Sequence, residues 1–517
     1  MPQRFFNTAG PCNPDWHYTV DPLPRLPEVR GLIESKSYFV LHAPRQTGKT
    51  TFLYAMMHQL NSEGKYTALQ VNIQPAASGR DPEHAMQIVA AVLYRAATQH
   101  LPRQEWPAEV NEVSPHFGSL HEYLHNWARA CPKPIVLFVD EADSLMDELF
   151  LILLRQLRAG FEARPDAFPQ SIGLVGLRDV RDYKIRLRPD SASMGTGSPF
   201  NIKTESLFMD IFTEAEVNTL MDLHQQESGQ IFTPEVRAEI YRLSQGQPWL
   251  TNALLRQIVE KILKNDFSRT ITINHVTQAR EELIRRRDTH LDSLVDKLRE
   301  ERVRTIVTAV INGSAPNFDD YNDSVLYCRD LGIIATRPPV RFANPIYQEI
   351  IPRVLAFGFQ ESIPMDFVEE ESWYIKDGKL DMNALLSEFQ KFYRRHSESW
   401  LGKFDFREVG RQLLLMAFLQ RIVNGGGRVE REMAVGNGRS DLVVYFGGDC
   451  FVLELKLNYD SYSEPEGLEQ LARYLDKLGE QHGYLILFEI DAAKSWDERI
   501  RWENRQQAGK MITLVGM

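Results

Sequence analysis

The chain has 517 residues, 43% hydrophobic and 25% charged, with a formal net charge of −11. This length calls for roughly three or four domains, and the composition is that of a folded globular protein, which excludes wholesale disorder. The acidic balance also excludes a chain-wide basic footprint, so any contact with nucleic acid has to be local.

No apolar run approaches the ~18 residues of a membrane span. The start, MPQRFFNTAG, lacks the apolar stretch of a secretory signal. Cys12, Cys131, Cys328 and Cys450 are scattered without CxxC spacing. That pattern speaks against a disulfide framework or zinc site and for a reducing, cytoplasmic setting without a membrane.

Residues 1–30 are rich in proline and aromatics and read as a leader packed on the next domain. Over 31–210 apolar strands alternate with helices (SYFVLHA, YTALQVNI, PIVLFVDE, SIGLVGL), the order of a parallel sheet with helical crossovers. Residues 211–298 run helix after helix, and FTEAEVNTLMDL and FTPEVRAEIYRL each open on a threonine cap followed by acids. Residues 299–360 have the shape of a winged helix: two helices, a strand pair around RPP, and a helix after NPIYQEII. Arg329 is nearly alone as a base on the helix at 322–330, so weak phosphate binding is expected there. An acidic, irregular linker covers 361–398, and 399–517 form the last domain.

APRQTGKT closes the first strand and opens a helix. Ala43, Pro44, Arg45, Gln46, Thr47, Gly48, Lys49, Thr50 and Thr51 then form a phosphate loop, with Ala43 where a glycine is usual. Backbone N–H groups and the helix N-terminus cradle phosphates, Lys49 reaches the β- and γ-phosphates, and Thr50 holds Mg²⁺. PIVLFVDE delivers Asp140 and Glu141 to the C-terminal end of a strand, where ligands of open α/β sheets bind. Asp140 suits the Mg²⁺ shell and Glu141 suits activation of the attacking water, so ATP is the expected cofactor.

The span 17–360 resembles the AAA-type and STAND ATPases, in particular archaeal-ATPase-like and origin-recognition-like members. The resemblance rests on HYTVDPLPRL, APRQTGKTTFL, LFVDEADSL, LVGLRDVRDY and SQGQPWLTNALL. It implies a γ-phosphate sensor around Arg178 and Asp179 and a lid turn, Gly246-x-Pro248, that closes near the nucleotide. It also places Arg25 and the pair His17-Tyr18 beside the base. Arg181, Arg186 and Arg188 include candidates for an arginine finger, which would imply a homo-oligomer or a partner protein.

GRSDLVVYFGGDCFVLELKL, residues 438–457, reads as a buried hairpin that carries charges. Gly447-Gly448 suits a type I′ turn, which pairs Phe446 with Asp449 and so sets Val443 against Val452 and Asp441 against Glu454. Glu454 and Lys456 share a face with Asp441, and Leu453, Leu455 and Leu457 take the other. Two opposed carboxylates destabilise a strand pair unless they share a proton or a cation such as Mg²⁺. A nearby ammonium can then steady charge developing on a phosphate. The last 120 residues resemble the PD-(D/E)xK nucleases in GRSD, ELK and the order αβββαββ. The resemblance implies catalysis by Asp441, Glu454 and Lys456, with Mg²⁺ or Mn²⁺ on Asp441 and Glu454. Glu408 is the additional acid, and Gln470 and Tyr474 form a RecB-like helix motif.

The expected protein is an α/β ATPase with helical lid and winged helix, joined to a restriction-endonuclease-like domain. Its expected activity is ATP-regulated cleavage of DNA rather than RNA, of the prokaryotic defence or mobile-element type. The competing reading is a DNA-binding ATPase switch, initiator- or regulator-like, whose nuclease fold is a non-catalytic scaffold.

Overall fold

The computed structural model describes residues 4–109, 120–145, 147–176, 203–286, 297–298, 300–312, 316–317, 319, 321–352, 374–376, 379–401, 411, 414–416, 418–419, 427–433, 440–458, 463–489 and 494–517. The chain divides into two compact units. The first comprises Met1–His290 with Asp320–Thr336, and the second Leu291–Asp319 with Arg337–Met517.

The first unit is built on five parallel strands: β1 Tyr38–His42, β2 Thr67–Asn72, β3 Ile135–Asp140, β4 Ser171–Gly176 and β5 Lys203–Phe208. Their order in the sheet is β2-β3-β4-β1-β5. Largely apolar runs make the central strands because helices cover both sheet faces, and β1, β3 and β4 are buried at every residue. One face carries Val40, Leu69, Leu137 and Trp127, and the other Leu41, Phe52, Phe138 and Val175. The helix Lys49–Ser62 follows β1 directly, so the turn between them opens at the C-terminal edge of the sheet.

The helical stretch past 211 contains Glu214–Ser228, Pro234–Ser244, Pro248–Arg256 and Ile273–Arg286. Thr213 and Glu216 form a full capping box, as that sequence predicts. A π-helical turn, Gln257–Ile262, continues the third of these helices.

The helix Asp323–Asp330 belongs to the first unit, where the turn after it meets the phosphate loop. Gly332 has φ +75°, and a Cβ there would lie 2.8 Å from Pro44 Cβ. His42 Nδ1, at the end of β1, lies 3.3 Å from Asp330 Oδ2, both side chains being buried. Arg329 bonds Asp330 at 2.9 Å and stacks on Phe208. The strand pair expected around Arg337-Pro338-Pro339 is replaced by bends between single bridge residues at Ile334 and Phe342. Two successive prolines donate no N–H, so they cannot sustain a ladder.

The second unit centres on a six-stranded sheet made by β8 Gly427–Met433, β9 Ser440–Phe446, β10 Asp449–Asn458, β11 His482–Glu489, β12 Arg501–Gln507 and β13 Lys510–Gly516. Its order is β12-β13-β11-β10-β9-β8, with β10, β11 and β13 parallel to one another. A small pair, β6 Ile375–Lys376 and β7 Lys379–Leu380, precedes it. The helix Ser463–Leu478 covers one face through Leu471, Ala472 and Leu475.

Two features depart from expectation. β12 is an additional strand, polar and mostly exposed, paired only with β13. An edge strand needs no apolar alternation, which is why RWENRQQ gives no strand signal. Residues 382–398, read as linker, lie within the helix Met382–Leu401, whose Phe389, Phe392 and Tyr393 are buried and whose Gln390 bonds the Gly516 carbonyl.

Candidate functional site

The phosphate loop leaves the sheet at Ala43 and returns to helix at Lys49, bringing both ends of the motif to the C-terminal tips of β1 and β3. Lys49 is almost wholly buried, and its Nζ donates to the carbonyls of Ala43 and Pro44, each at 2.9 Å. Thr47 Oγ1 donates to the Pro44 carbonyl at 2.9 Å. Thr50 Oγ1 donates to Asp140 Oδ2 at 2.7 Å, joining the two motifs directly. Thr51 Oγ1 accepts from the Cys12 N–H at 3.0 Å, which ties the leader to the loop. Arg45 and Gln46 are exposed at its tip.

Burial depresses the Lys49 ammonium, with Asp140, Glu141 and Asp143 pulling the other way. Burial raises the Asp140 carboxyl, opposed by the Thr50 hydroxyl and by Lys49. Burial also raises Glu141, and here the negative charges of Asp143 and Asp140 add to it. Glu141 has φ 55° and ψ 36°, a left-handed conformation that costs a non-glycine residue roughly 1–2 kcal/mol. The segment after it packs back against β4, where a Cβ on Gly176 would lie 2.9 Å from Asp143 Oδ1. Gln70 of β2 donates to Asp140 Oδ2 at 3.4 Å, a contact that no motif announced.

Beside the loop lies an open cleft walled by the leader, the loop and the helix Pro248–Arg256. Arg25 lines it, donating to the Thr47 carbonyl at 3.1 Å and to the Asp210 carbonyl, with its guanidinium 5.0 Å from the Phe212 ring centre. Tyr18 and Pro248 line it, together with Cys12, Trp249 and Asn252. His17 does not. Its Nδ1 accepts from the Asn13 N–H, and its ring meets Phe5 edge-on. Trp249 Nε1 donates to the Thr8 carbonyl at 3.0 Å, fastening the leader to the helix Pro248–Arg256. Arg178, Asp179, Arg181, Arg186 and Arg188 lie outside the described residues.

On the second sheet Gly447 and Gly448 both have positive φ, 57° and 95°, and β9 pairs with β10 from Asp449↔Phe446 through Leu453↔Leu442. This is the register the turn predicts. Glu454 is fully buried, and among the described residues neither carboxylate oxygen has a hydrogen-bond partner. Gln470 Oε1 and Tyr474 Oη, on the helix Ser463–Leu478, are likewise buried and unpartnered. Lys456 Nζ lies 3.2 Å from Glu466 Oε2 of the same helix. Asp441 is a residue of β9, opposite Glu432 of β8, but its side chain and all of Glu408 lie outside the description. Among the described residues, no three His, Cys, Asp or Glu side chains gather as a metal site.

No family model and no curated protein matches the chain. Solved structures similar to it include a Walker-type ATPase of Pyrococcus abyssi, with 13% identity and TM-score 0.46 over 66% of this chain and 98% of that one. Cdc6p from Pyrobaculum aerophilum matches with 15% identity and TM-score 0.36 over 66% and 94%. The RuvB Holliday junction branch migration motor of Thermotoga maritima matches with 15% identity and TM-score 0.34 over 63% and 93%. Among the described residues, no helix is long and apolar enough to cross a membrane.

Proposed function

We propose that the chain is an ATP-hydrolysing protein whose second unit is a Mg²⁺-dependent nuclease acting on DNA. The observation that carries the first half is the meeting of Lys49, Thr50 and Asp140 at the tips of β1 and β3. Lys49 would exchange the carbonyls of Ala43 and Pro44 for phosphate oxygens, which are stronger acceptors. Thr50 and Asp140 offer the oxygen ligands that suit Mg²⁺, whose charge offsets that of the phosphates. Glu141, with its raised pKa, orients the attacking water and takes its proton.

The nuclease half rests on Glu454, whose two buried oxygens have no hydrogen-bond partner among the described residues. A buried carboxylate is costly unless paired or bound to a metal. The ladder ends at Leu453↔Leu442, and Asp441 and Glu454 are the next residues on the two strands, which would make them a pair of the kind that holds a divalent cation. A cation there would polarise a scissile phosphate. Lys456 steadies the charge that develops on the phosphoryl oxygens, and Gln470 and Tyr474 complete the polar wall. The contact of Lys456 with Glu466 favours a second reading, a DNA-binding ATPase whose nuclease fold is a scaffold, since it engages the ammonium.

The test is incubation of the full chain with ATP, Mg²⁺ and either plasmid DNA or structured RNA. Cleavage of DNA that Asp441→Asn abolishes, with ATP turnover intact, is expected. Binding of DNA without cleavage under any divalent cation would replace the nuclease with the scaffold reading.

A further inference from the structure

We infer that Asn252 reads position 6 of a purine ring, so that the cleft accepts adenine and rejects hypoxanthine and guanine. This rests on the proposed nucleotide site. Asn252 sits one turn after Pro248 and lines the cleft at 6% exposure, alongside Tyr18, Arg25, Phe212 and Trp249. Gln46, Gly48 and Thr51 of the phosphate loop line the same cleft. A nucleotide whose phosphates engage Lys49 therefore has its base within reach of these apolar walls.

The orientation of the amide follows from its bonds. Asn252 Nδ2 donates to the Pro248 carbonyl at 2.8 Å, and a carbonyl can only accept. The other end is therefore Oδ1, and it is buried without a hydrogen-bond partner. An acceptor in that condition costs free energy until a donor meets it. Adenine carries an amino group at position 6. Hypoxanthine and guanine carry an oxygen there, which would face Oδ1 lone pair to lone pair. Sites that hydrogen-bond one substrate group discriminate strongly against analogues without it, because their own buried groups stay unpaired.

The experiment measures binding of ATP, ITP, purine riboside triphosphate and dATP to the full chain, wild type and variants. Wild type should bind ATP about tenfold or more tightly than ITP or the riboside analogue, with dATP close to ATP. Asn252→Ala should bring ATP and ITP within roughly threefold of each other. An Asn252→Ala melting curve that matches wild type, with Lys49-dependent ATP binding retained, guards against a folding defect in that variant. Equal wild-type affinity for ATP and ITP, or a preference unchanged in Asn252→Ala, overturns the inference. So does a loss confined to dATP, which would assign Oδ1 to the ribose. Failure of the nucleotide site itself looks different: no triphosphate would bind, and Lys49→Ala would change nothing.

Discussion

At the phosphate loop, Lys49, Thr50 and Asp140 bond to one another or to backbone carbonyls within the unit. On the second sheet, Glu454, Gln470 and Tyr474 have four buried polar atoms without hydrogen-bond partners among the described residues. A ligand at the first site has to exchange existing bonds, so its affinity depends on offering better acceptors than a backbone carbonyl. A cation at the second would meet oxygens that nothing else satisfies, so its binding would add stability outright. The same kind of substitution should therefore harm the first site and relieve the second.

The largest effect is expected from Lys49→Ala. Charge-assisted bonds are worth roughly 1.5–3 kcal/mol each, so ATP affinity measured by titration should fall about a hundredfold or more. Wild-type affinity in this variant would remove the phosphate-loop assignment. Glu141→Gln should bind ATP normally and lower turnover by roughly 10²–10⁴. Burial, aided by Asp143 and Asp140, raises the Glu141 pKa above its ordinary value of 4.5, so wild-type turnover should fall with pH before a free glutamate would titrate. The sign for stability is opposite to that of a paired carboxylate. The folded state holds this proton more tightly than the unfolded chain, so stability is lost as pH rises through the raised value. Glu141→Gln should thus melt higher than wild type near neutrality and equally with it at low pH.

Glu454→Gln sharpens the contrast from the other side. In chelator its second-unit transition should lie at or above that of wild type, because a buried unpaired carboxylate is removed. Saturating Mg²⁺ should stabilise wild type by about 2.7 kcal/mol at a hundred times Kd and leave the variant unmoved. Equal Mg²⁺ responses would show that Glu454 holds no metal. The smallest effect concerns Gly332→Ala. A left-handed alanine costs about 1–2 kcal/mol, and its Cβ would press on Pro44. ATP affinity should weaken a few-fold, and an unchanged melting curve and affinity would show that this contact is idle.

Much of this was legible in the sequence where function is written into contiguous runs. APRQTGKT and FVDE fix the loop and strand end because a tight turn and an apolar strand are local matters, and Gly447-Gly448 sets the hairpin register for the same reason. Long-range pairings were not legible. Gln70 reaches Asp140 across neighbouring strands, and Asn252 lines the cleft beside Trp249, which bonds to Thr8 far away in sequence. The strand β12 escaped because its charges satisfy an exposed edge, and the helix Met382–Leu401 because the acidic stretch before it masks a helical apolar stripe. The strand pair expected around Arg337 shortens to single bridge residues at Ile334 and Phe342, because the two prolines between them donate no N–H.

The contact of Gly332 with Pro44 has a temporal side. The first unit is interrupted in sequence, since Asp320–Thr336 supply the support behind the phosphate loop. Two segments roughly 290 residues apart must meet before that support exists, a closure that costs entropy and delays assembly. During synthesis the sheet and lid can form first, but the loop stays unbacked until Thr336 has emerged from the ribosome. A fragment cut at the end of the helical lid would carry every nucleotide motif and still lack the wall those motifs lean on.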